Sequence, residues 1–567
     1  MKHHRSVERL ARRPLLAVLI GACPGLTPLA APPPPPNAGT ILQQAQPTPP
    51  PAPSSNDSGL SLEPAPASAL PASMPFLVAK IEITGNTRIP TQTLHALVAS
   101  AEGQRLTLPE VNKLTARITA YYRAHGYPLA RAIVPPQTLH AGVLRIEVVE
   151  ARVGKVSVNN RSRVNTGLVE STLDPLKSGT VISQDPLDRS LLLLSDIPGM
   201  TVHATLKPGA EVGTSDLQVD THATQPVIGS LTVDDGGDRY SGRARVGGNV
   251  SFVDPLHQGD LLDLGVLSSG SGMNYGRLSY DALLNGEGTR LGVGYSGLHY
   301  RLGGKLSDLD AHGTAQDANL DVKQPLIRGR DVNLYVQLQY DHLQLNDDIG
   351  VSDSVERRHL DNVAASLSGD VRDHLLDGAV NSWNASWTYG HLGFDNAAAD
   401  VTDAEAARTQ GSFAKLNLSL ARLQSLSAKD ALYFELSGQW AASRNLDPSQ
   451  QLVLGGPSSV RAYDVSAISG DSGWTATTEL RHTFSRGWFG PWQAIAFVDN
   501  AHLVIDKTVF ATGANTASLN GGGVGLNWQG PDQWTAGVTV AAPFGSRPAL
   551  IGDTGSVHAW AQLTKAF

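Results

Sequence analysis

Between residues 226 and 567, apolar and polar side chains alternate in short units that recur to the end of the sequence. Val332, Leu334, Val336, Leu338 and Tyr340 fall on one face of a strand, with Asn333, Gln337 and Gln339 on the other. The pattern returns with Leu432, Phe434 and Leu436 against Tyr433, Glu435 and Ser437. It returns again with Trp534, Ala536, Val538 and Val540 against Thr535, Gly537 and Thr539. A period of two belongs to a strand whose faces meet unlike surroundings. A soluble sandwich has the same alternation, so the connections decide. Tight ones (residues 254–260, 285–288 and 324–330) alternate with longer ones around residues 343–356 and 391–410. Short turns on one rim and long loops on the other predict a transmembrane antiparallel β-barrel of the outer membrane. The 342 residues from 226 to 567 hold about sixteen strands at roughly 21 residues per strand and connection. The closing stretch, Val557–Phe567, is one amphipathic unit of strand length ending on an aromatic. Closure pairs such a strand with the first, which makes Phe567 the candidate C-terminal barrel signal. Trp383, Trp387, Trp528 and Trp534 are candidates for the interfacial girdles.

Upstream the period changes. Ile81 and Ile83 alternate with polar residues before a turn at Gly85-Asn86-Thr87. Leu94, Leu97 and Val98 then fall at helical spacing, as do Leu114, Ile118 and Tyr121. Gly126 suits the left-handed position that closes a helix. Strands over 129–134 and 142–149 complete the order β-α-α-β-β. The chain then starts again at an offset of 75: Lys80, Ile81, Ile83 and Ile89 return as Lys155, Val156, Val158 and Val164. A helix over 187–194 and strands over 201–206 and 215–221 follow. A repeat of this size means two copies of one small α+β domain, at 76–150 and 152–224.

The first 31 residues read as an export signal. Lys2, Arg5, Arg9, Arg12 and Arg13 precede apolar Leu15–Ala22 and the small residues around Ala30 and Ala31, where cleavage is expected. Two other readings attach to this segment: a lipoprotein cleavage before Cys23, and a twin-arginine signal at Arg12-Arg13. Residues 32–75 carry 14 of the 35 prolines and read as an extended linker. Its proline-free island, residues 38–46, is long enough for about two helical turns. So short a helix is marginal in water and needs a site to dock in, and the alternative is more linker.

Charged residues make up 17% of the chain and the net charge is −8, which gives no support for nucleic-acid binding. A single cysteine, Cys23, excludes disulfides within the chain and a Cys-rich metal site. Past the N-terminus no apolar run reaches the roughly 18 residues of a membrane helix. The sequence has no Gly-x-Ser-x-Gly elbow, no His-Glu-x-x-His and no phosphate loop, so no catalysis, cofactor or metal is expected.

The stretches Ile81-x-Ile83-x-Gly85-Asn86-Thr87, Tyr121-Tyr122-Arg123-x-x-Gly126-Tyr127, Pro136-Gln137 and Gly142-x-Leu144-x-Ile146-x-Val148-Val149-Glu150 resemble a POTRA domain. More closely, they resemble the first POTRA of two-partner secretion transporters, the outer-membrane barrels that export hemolysins and filamentous hemagglutinins. The likeness extends over the mature chain: plug helix, linker, two POTRA repeats and barrel. Gly455–Tyr463 resembles the Val-Arg-Gly-Tyr tip of the loop that enters the barrel in this superfamily, with Val460, Arg461, Ala462 and Tyr463 at the tip. Phe497 and Asp499 resemble the Phe-x-Asp motif of the inner wall. The resemblance implies that Arg461 folds into the lumen and pairs with Asp499, a charge-assisted bidentate bond in a confined pore. Ala462 stands where the family has Gly, which matters if that backbone needs positive φ.

The resemblance also implies a function. POTRA strand edges would capture an unfolded exoprotein in the periplasm, and the barrel would export it once helix and loop move aside. Without a nucleotide site, the drive is expected from cargo folding outside. Implied partners are the exoprotein, outer-membrane lipid and the barrel-assembly machinery during biogenesis. A barrel-assembly insertase shares these parts but usually carries more POTRA copies. A passive porin has no need of periplasmic docking domains.

Overall fold

The computed structural model describes residues 35–46, 54–62, 73–484, 489–546, 548, 550–551 and 555–567. The expected signal segment lies outside the described residues.

Sixteen antiparallel strands close into a barrel, from Val227–Asp234 to His558–Ala566. The seam pairs Ser230–Asp234 with Gln562–Ala566, and Gly229 and Phe567 exchange both backbone hydrogen bonds at 3.0 Å. Phe567 therefore extends the seam, and its half-exposed ring lies over Gly229, where a Cβ would come within 2.6 Å of its Cζ. The alternation read from the sequence is the wall itself. Val332, Leu338 and Tyr340 are exposed on the outside, whereas Asn333 is buried inside. Val332 to Tyr340 matches the roughly nine to eleven residues a tilted strand needs to cross the hydrocarbon.

The expected long connection at 343–356 is not a loop. The strand runs on from Val332 to Ile349, makes a 3-10 turn at Gly350–Ser352 and returns as Ser354–Asp373. Its outward residues above Tyr340 are His342, Gln344 and Asn346, so polarity marks where the strand leaves the lipid rather than where it stops. Near residue 400 the connection does carry its own element, the helix Ala397–Glu405.

Before the barrel stand two small α+β units with the same wiring. In the first, Lys80–Thr84 pairs in parallel with Val143–Val149, which pairs antiparallel with Arg131–Ile133. In the second, Arg152–Arg161 is parallel to Thr214–Ala223, which is antiparallel to Met200–Pro208. The long helix of the first unit, Leu108–Ala124, opens with a capping box between Thr107 and Glu110. It buries Leu114, Ile118 and Tyr122. Tyr122, rather than Tyr121, is the aromatic of the core face. Gly126 closes the helix at φ +83°, as expected. The second unit is bolted to the tight turns of the barrel. Asn165 donates its backbone N–H to the carbonyl of His257 at 2.9 Å, and Leu283 joins the core of this unit. Fully buried Arg328 forks onto Asp196 at 2.7 and 2.8 Å, and Arg330 reaches Asp188 at 2.8 Å.

Candidate functional site

Residues 442–471, between the strands Asp430–Ala441 and Ser472–Phe484, fold back into the lumen instead of projecting outward. A small hairpin, Leu452–Leu454 with Ile468–Gly470, stiffens the stem. Gly455 and Gly456 turn the chain at φ +103° and +92°, where a Cβ on Gly455 would sit 2.2 Å from the carbonyl oxygen of Asp464. At the tip Val460, Arg461, Ala462 and Tyr463 are all buried. The Arg461 Nε and Nη2 donate to the two oxygens of Asp499 at 2.9 and 2.7 Å, and Nη1 donates to Glu479 at 2.6 Å. The guanidinium lies 3.4 Å above the centre of the Phe497 ring. Asp499 also accepts from the Arg461 backbone N–H and the Thr477 hydroxyl, and Trp560 Nε1 donates to the Arg461 carbonyl at 2.8 Å. The motif residues Arg461, Phe497 and Asp499 thus meet at one point of the inner wall.

Sequence reasoning missed Glu479, which shares the guanidinium. No motif flags it, but it lies opposite Phe497 in register, on the strand beside Asp499. Ala462 keeps a negative φ, so the residue change at the tip brings no left-handed strain. Its methyl rests on the wall at Gly521, where a Cβ would come within 2.4 Å.

The second lumen element is the helix Ala38–Ala45, capped by Asn37, whose side chain accepts from the Thr40 N–H. Ala38, Ile41, Leu42 and Ala45 pack against inward-facing Leu298, Tyr300, Leu343, Leu345, Leu360 and Phe413. This stretch of lumen wall is apolar because a helix rather than water covers it. The other helix face meets the folded-back loop. Gln43 donates to the carbonyl of Ser449, Gln44 donates to the Ser466 hydroxyl at 2.6 Å, and Gly39 closes on Ser449. At the N-terminus the Ala38 N–H donates to Asp347 at 2.7 Å, and Tyr300 donates to the same oxygen at 2.5 Å. Behind Asp347 lies Arg358, fully buried, 2.9 Å from Asp347 and 2.7 Å from Asp447 of the loop, and paired also with Glu356. Helix and loop thus pack against each other inside the barrel.

Residues 213–527 match the family of haemolysin secretion/activation proteins ShlB/FhaC/HecB, and residues 76–151 match the ShlB-type POTRA domain. The chain belongs to this family. The heme/hemopexin transporter protein HuxB of Haemophilus influenzae (strain 86-028NP) is 24% identical over 498 residues, spanning 87% of this chain and 87% of HuxB. The outer membrane transporter CdiB of Dickeya dadantii (strain 3937) is 26% identical over 508 residues, 86% of this chain and 84% of CdiB. The solved structure of CdiB from Escherichia coli has the same fold, with a TM-score of 0.70 over 89% of this chain and 93% of that one at 21% identity. The family is one of transporters, and the chain is a two-partner secretion transporter of the outer membrane with its POTRA domains in the periplasm. These matches favour export over the insertase and porin readings.

In the transporter's first POTRA domain the motif residues converge on Glu150. Its carboxylate accepts from the N–H groups of Thr87 and Arg88 at 2.8 Å each, from the Thr87 hydroxyl, and from the Tyr122 hydroxyl at 2.8 Å. Burial pushes the Glu150 carboxyl up, but these bonds outweigh it and hold it below the ordinary carboxylate range. Burial and the neighbouring Glu150 push the Tyr122 phenol up, so it stays a donor. Gly85 passes so close to the carbonyl of Val148 that a Cβ would lie 2.3 Å from its oxygen. Gly85, Thr87, Tyr122 and Glu150 therefore form the structural knot of the domain.

Proposed function

We propose that this chain receives one secreted protein, unfolded, at its POTRA strand edges and passes it through the barrel after helix 38–45 and then the tip of loop 442–471 leave the lumen. One observation carries the reading: a helix packs inside the lumen, and the linker that follows it reaches the second periplasmic unit at Leu60–Leu62. An obstruction tethered to a receptor can respond to what the receptor binds, which a porin or an inert plug has no use for. The family's description as haemolysin secretion/activation proteins supports a secreted protein as the kind of cargo. In the closed state Arg461, Asp499 and Phe497 hold the loop, and Ala38 to Ala45 hold the helix. The exposed outer side chains face outer-membrane lipid, and Phe567 at the seam is the feature that the barrel-assembly machinery reads during insertion. No catalytic step and no cofactor enter this scheme, and folding of the exported chain outside drives it.

Comparing proteins released into the medium by cells with and without the transporter tests the reading. One dominant large exoprotein should disappear on deletion and return with the wild-type chain but not with Arg461→Ala. Unchanged secretion together with defective insertion of other barrels would overturn it.

A further inference from the structure

A cavity of about 210 Å3 opens where the second POTRA domain meets Arg88 of the first. Its floor belongs to the second domain and is apolar: Val153, Leu176, Ile182, Leu187, Leu206 and Leu217, all buried. Its rim is exposed and shared, with Pro175, Thr180 and Pro186 from the second domain and Arg88 from the first. The backbone of Arg88 is held firmly: its N–H donates to Glu150 at 2.8 Å, and the next residue, Ile89, is buried in the core of the first domain. The domains meet beside it. The Gln184 N–H donates to the carbonyl of Gly126 at 2.8 Å, and Leu129 packs against the core of the second domain. Among the described residues no carboxylate pairs with the Arg88 guanidinium.

Close-packed interiors hold few voids larger than a water molecule. A cavity of this size among buried Leu, Ile and Val therefore lowers the stability of the domain that carries it, and a ligand inside offsets the loss. Its size limits what fits. An apolar cavity of roughly 150 Å3 already takes up benzene, whereas pockets that bury a whole drug-sized ligand run to roughly 300–1,000 Å3. The space suits one aromatic side chain and is too small for a lipid. The guanidinium at the rim adds a second requirement. It binds a neighbouring carboxylate through two parallel N–H donors and discriminates against a cation.

The geometry points to a side-chain pocket at the joint of the two domains: the cavity receives one aromatic side chain of the unfolded exported chain, and Arg88 pairs with an acidic residue next to it. The inference rests on the export reading and deepens it, because it gives the feature that marks a cargo, an aromatic residue beside an acidic one. Recognition here is by side chains and uses no sheet edge. Because the rim is shared, a bound segment touches both domains at once.

The test uses the full chain in detergent micelles, with micelles alone as the blank. The probe is the acetylated and amidated dipeptide para-fluorophenylalanyl-aspartate, followed by its fluorine resonance. Wild type should bind it. Ser215 lines the cavity and shares the sheet face of Leu217, so Ser215→Phe places a ring there without removing a core side chain. It should weaken binding at least ~10-fold. Arg88→Glu should weaken binding of the aspartate probe and bind its lysine counterpart instead. This exposed position decides where Ser215→Phe does not fold. No binding to wild type up to the solubility of the probe overturns the inference, as does equal affinity of the three chains or an unchanged preference of Arg88→Glu for aspartate. In cells each variant should lower release of the exoprotein identified by deletion at least ~10-fold at equal amounts of inserted barrel. Undiminished release with either overturns the role of the pocket in export. Probe binding needs no export, so a wild-type chain that binds the probe and exports nothing is a failure of the export reading, distinct from a failure here.

Discussion

Arg461 and Arg358 are both buried in the lumen of this barrel, and they work in opposite directions. Arg461 stands on the folded-back loop and reaches to the wall, where Asp499 and Glu479 meet it directly. Arg358 stands on the wall and holds Asp447 of the loop and Asp347, and Asp347 in turn accepts one N–H from the lumen helix. The loop is thus anchored by several charge-assisted bonds to its own side chain. The helix is anchored by apolar packing, by glutamine side chains, of which Gln46 donates to Asp317 at 3.1 Å, and by a backbone bond to Asp347, whose charge is balanced elsewhere. Elements held in the second way leave more easily. The difference assigns an order to opening, helix before loop, although both lie in the same lumen.

Arg461→Ala gives the largest effect. It strands Asp499 and Glu479 without their cation, a loss of about 3–5 kcal/mol for a buried pair. Export should fall at least ~100-fold, each 1.4 kcal/mol being about tenfold. Loop 442–471 should become cleavable by external protease, and a loop that stays protected would place its anchorage elsewhere. Gly39→Val comes next. Its side chain meets Ser449 within 2.7 Å and overpacks the contact of helix and loop, for about 1–3 kcal/mol. The channel should open in planar bilayers while loop protection persists, and simultaneous release of both elements would break the proposed order. Asp347→Asn is milder, because Asn keeps an acceptor for the Ala38 N–H and Arg358 keeps Asp447. A charged hydrogen bond weakened by about 1 kcal/mol raises the open fraction roughly fivefold.

The sequence discloses these two anchors unequally. Arg461, Phe497 and Asp499 sit in compact local patterns, and a Gly-rich stretch between two strands advertises the loop. The barrel is equally legible, because one face of each strand meets lipid and the alternation survives in Val332, Leu338 and Tyr340. The cluster of Arg358, Asp347 and Asp447 is not legible: its members lie on two strands and a loop and follow no spacing. Leu343 and Leu345 point inward and read as a lapse in a polar face until the helix that covers them is placed. The linker strand Leu60–Leu62 has the same difficulty. Three residues carry no periodicity, and their conformation is set by the edge they pair with.

Glu150 in the first POTRA domain sharpens the comparison from outside the membrane. It is a buried carboxylate like Asp347 and Asp499, but its bonds come from neutral donors, the N–H groups of Thr87 and Arg88 and the hydroxyls of Thr87 and Tyr122. If the cation is what makes a lumen anchor strong, Glu150→Gln should cost less than Arg461→Ala, about 1–2 kcal/mol. Amide hydrogen exchange of residues 87 and 148 in the full chain measures it. The folded carboxyl titrates below the ordinary value of 4.5, so its contribution is complete above that value and is lost as pH falls through the depressed one. The difference in protection between wild type and Glu150→Gln should therefore be full at pH 6 and shrink at pH values well below 4.5. A difference that grows on acidification would mean that the protonated acid, not the carboxylate, holds the turn at Thr87.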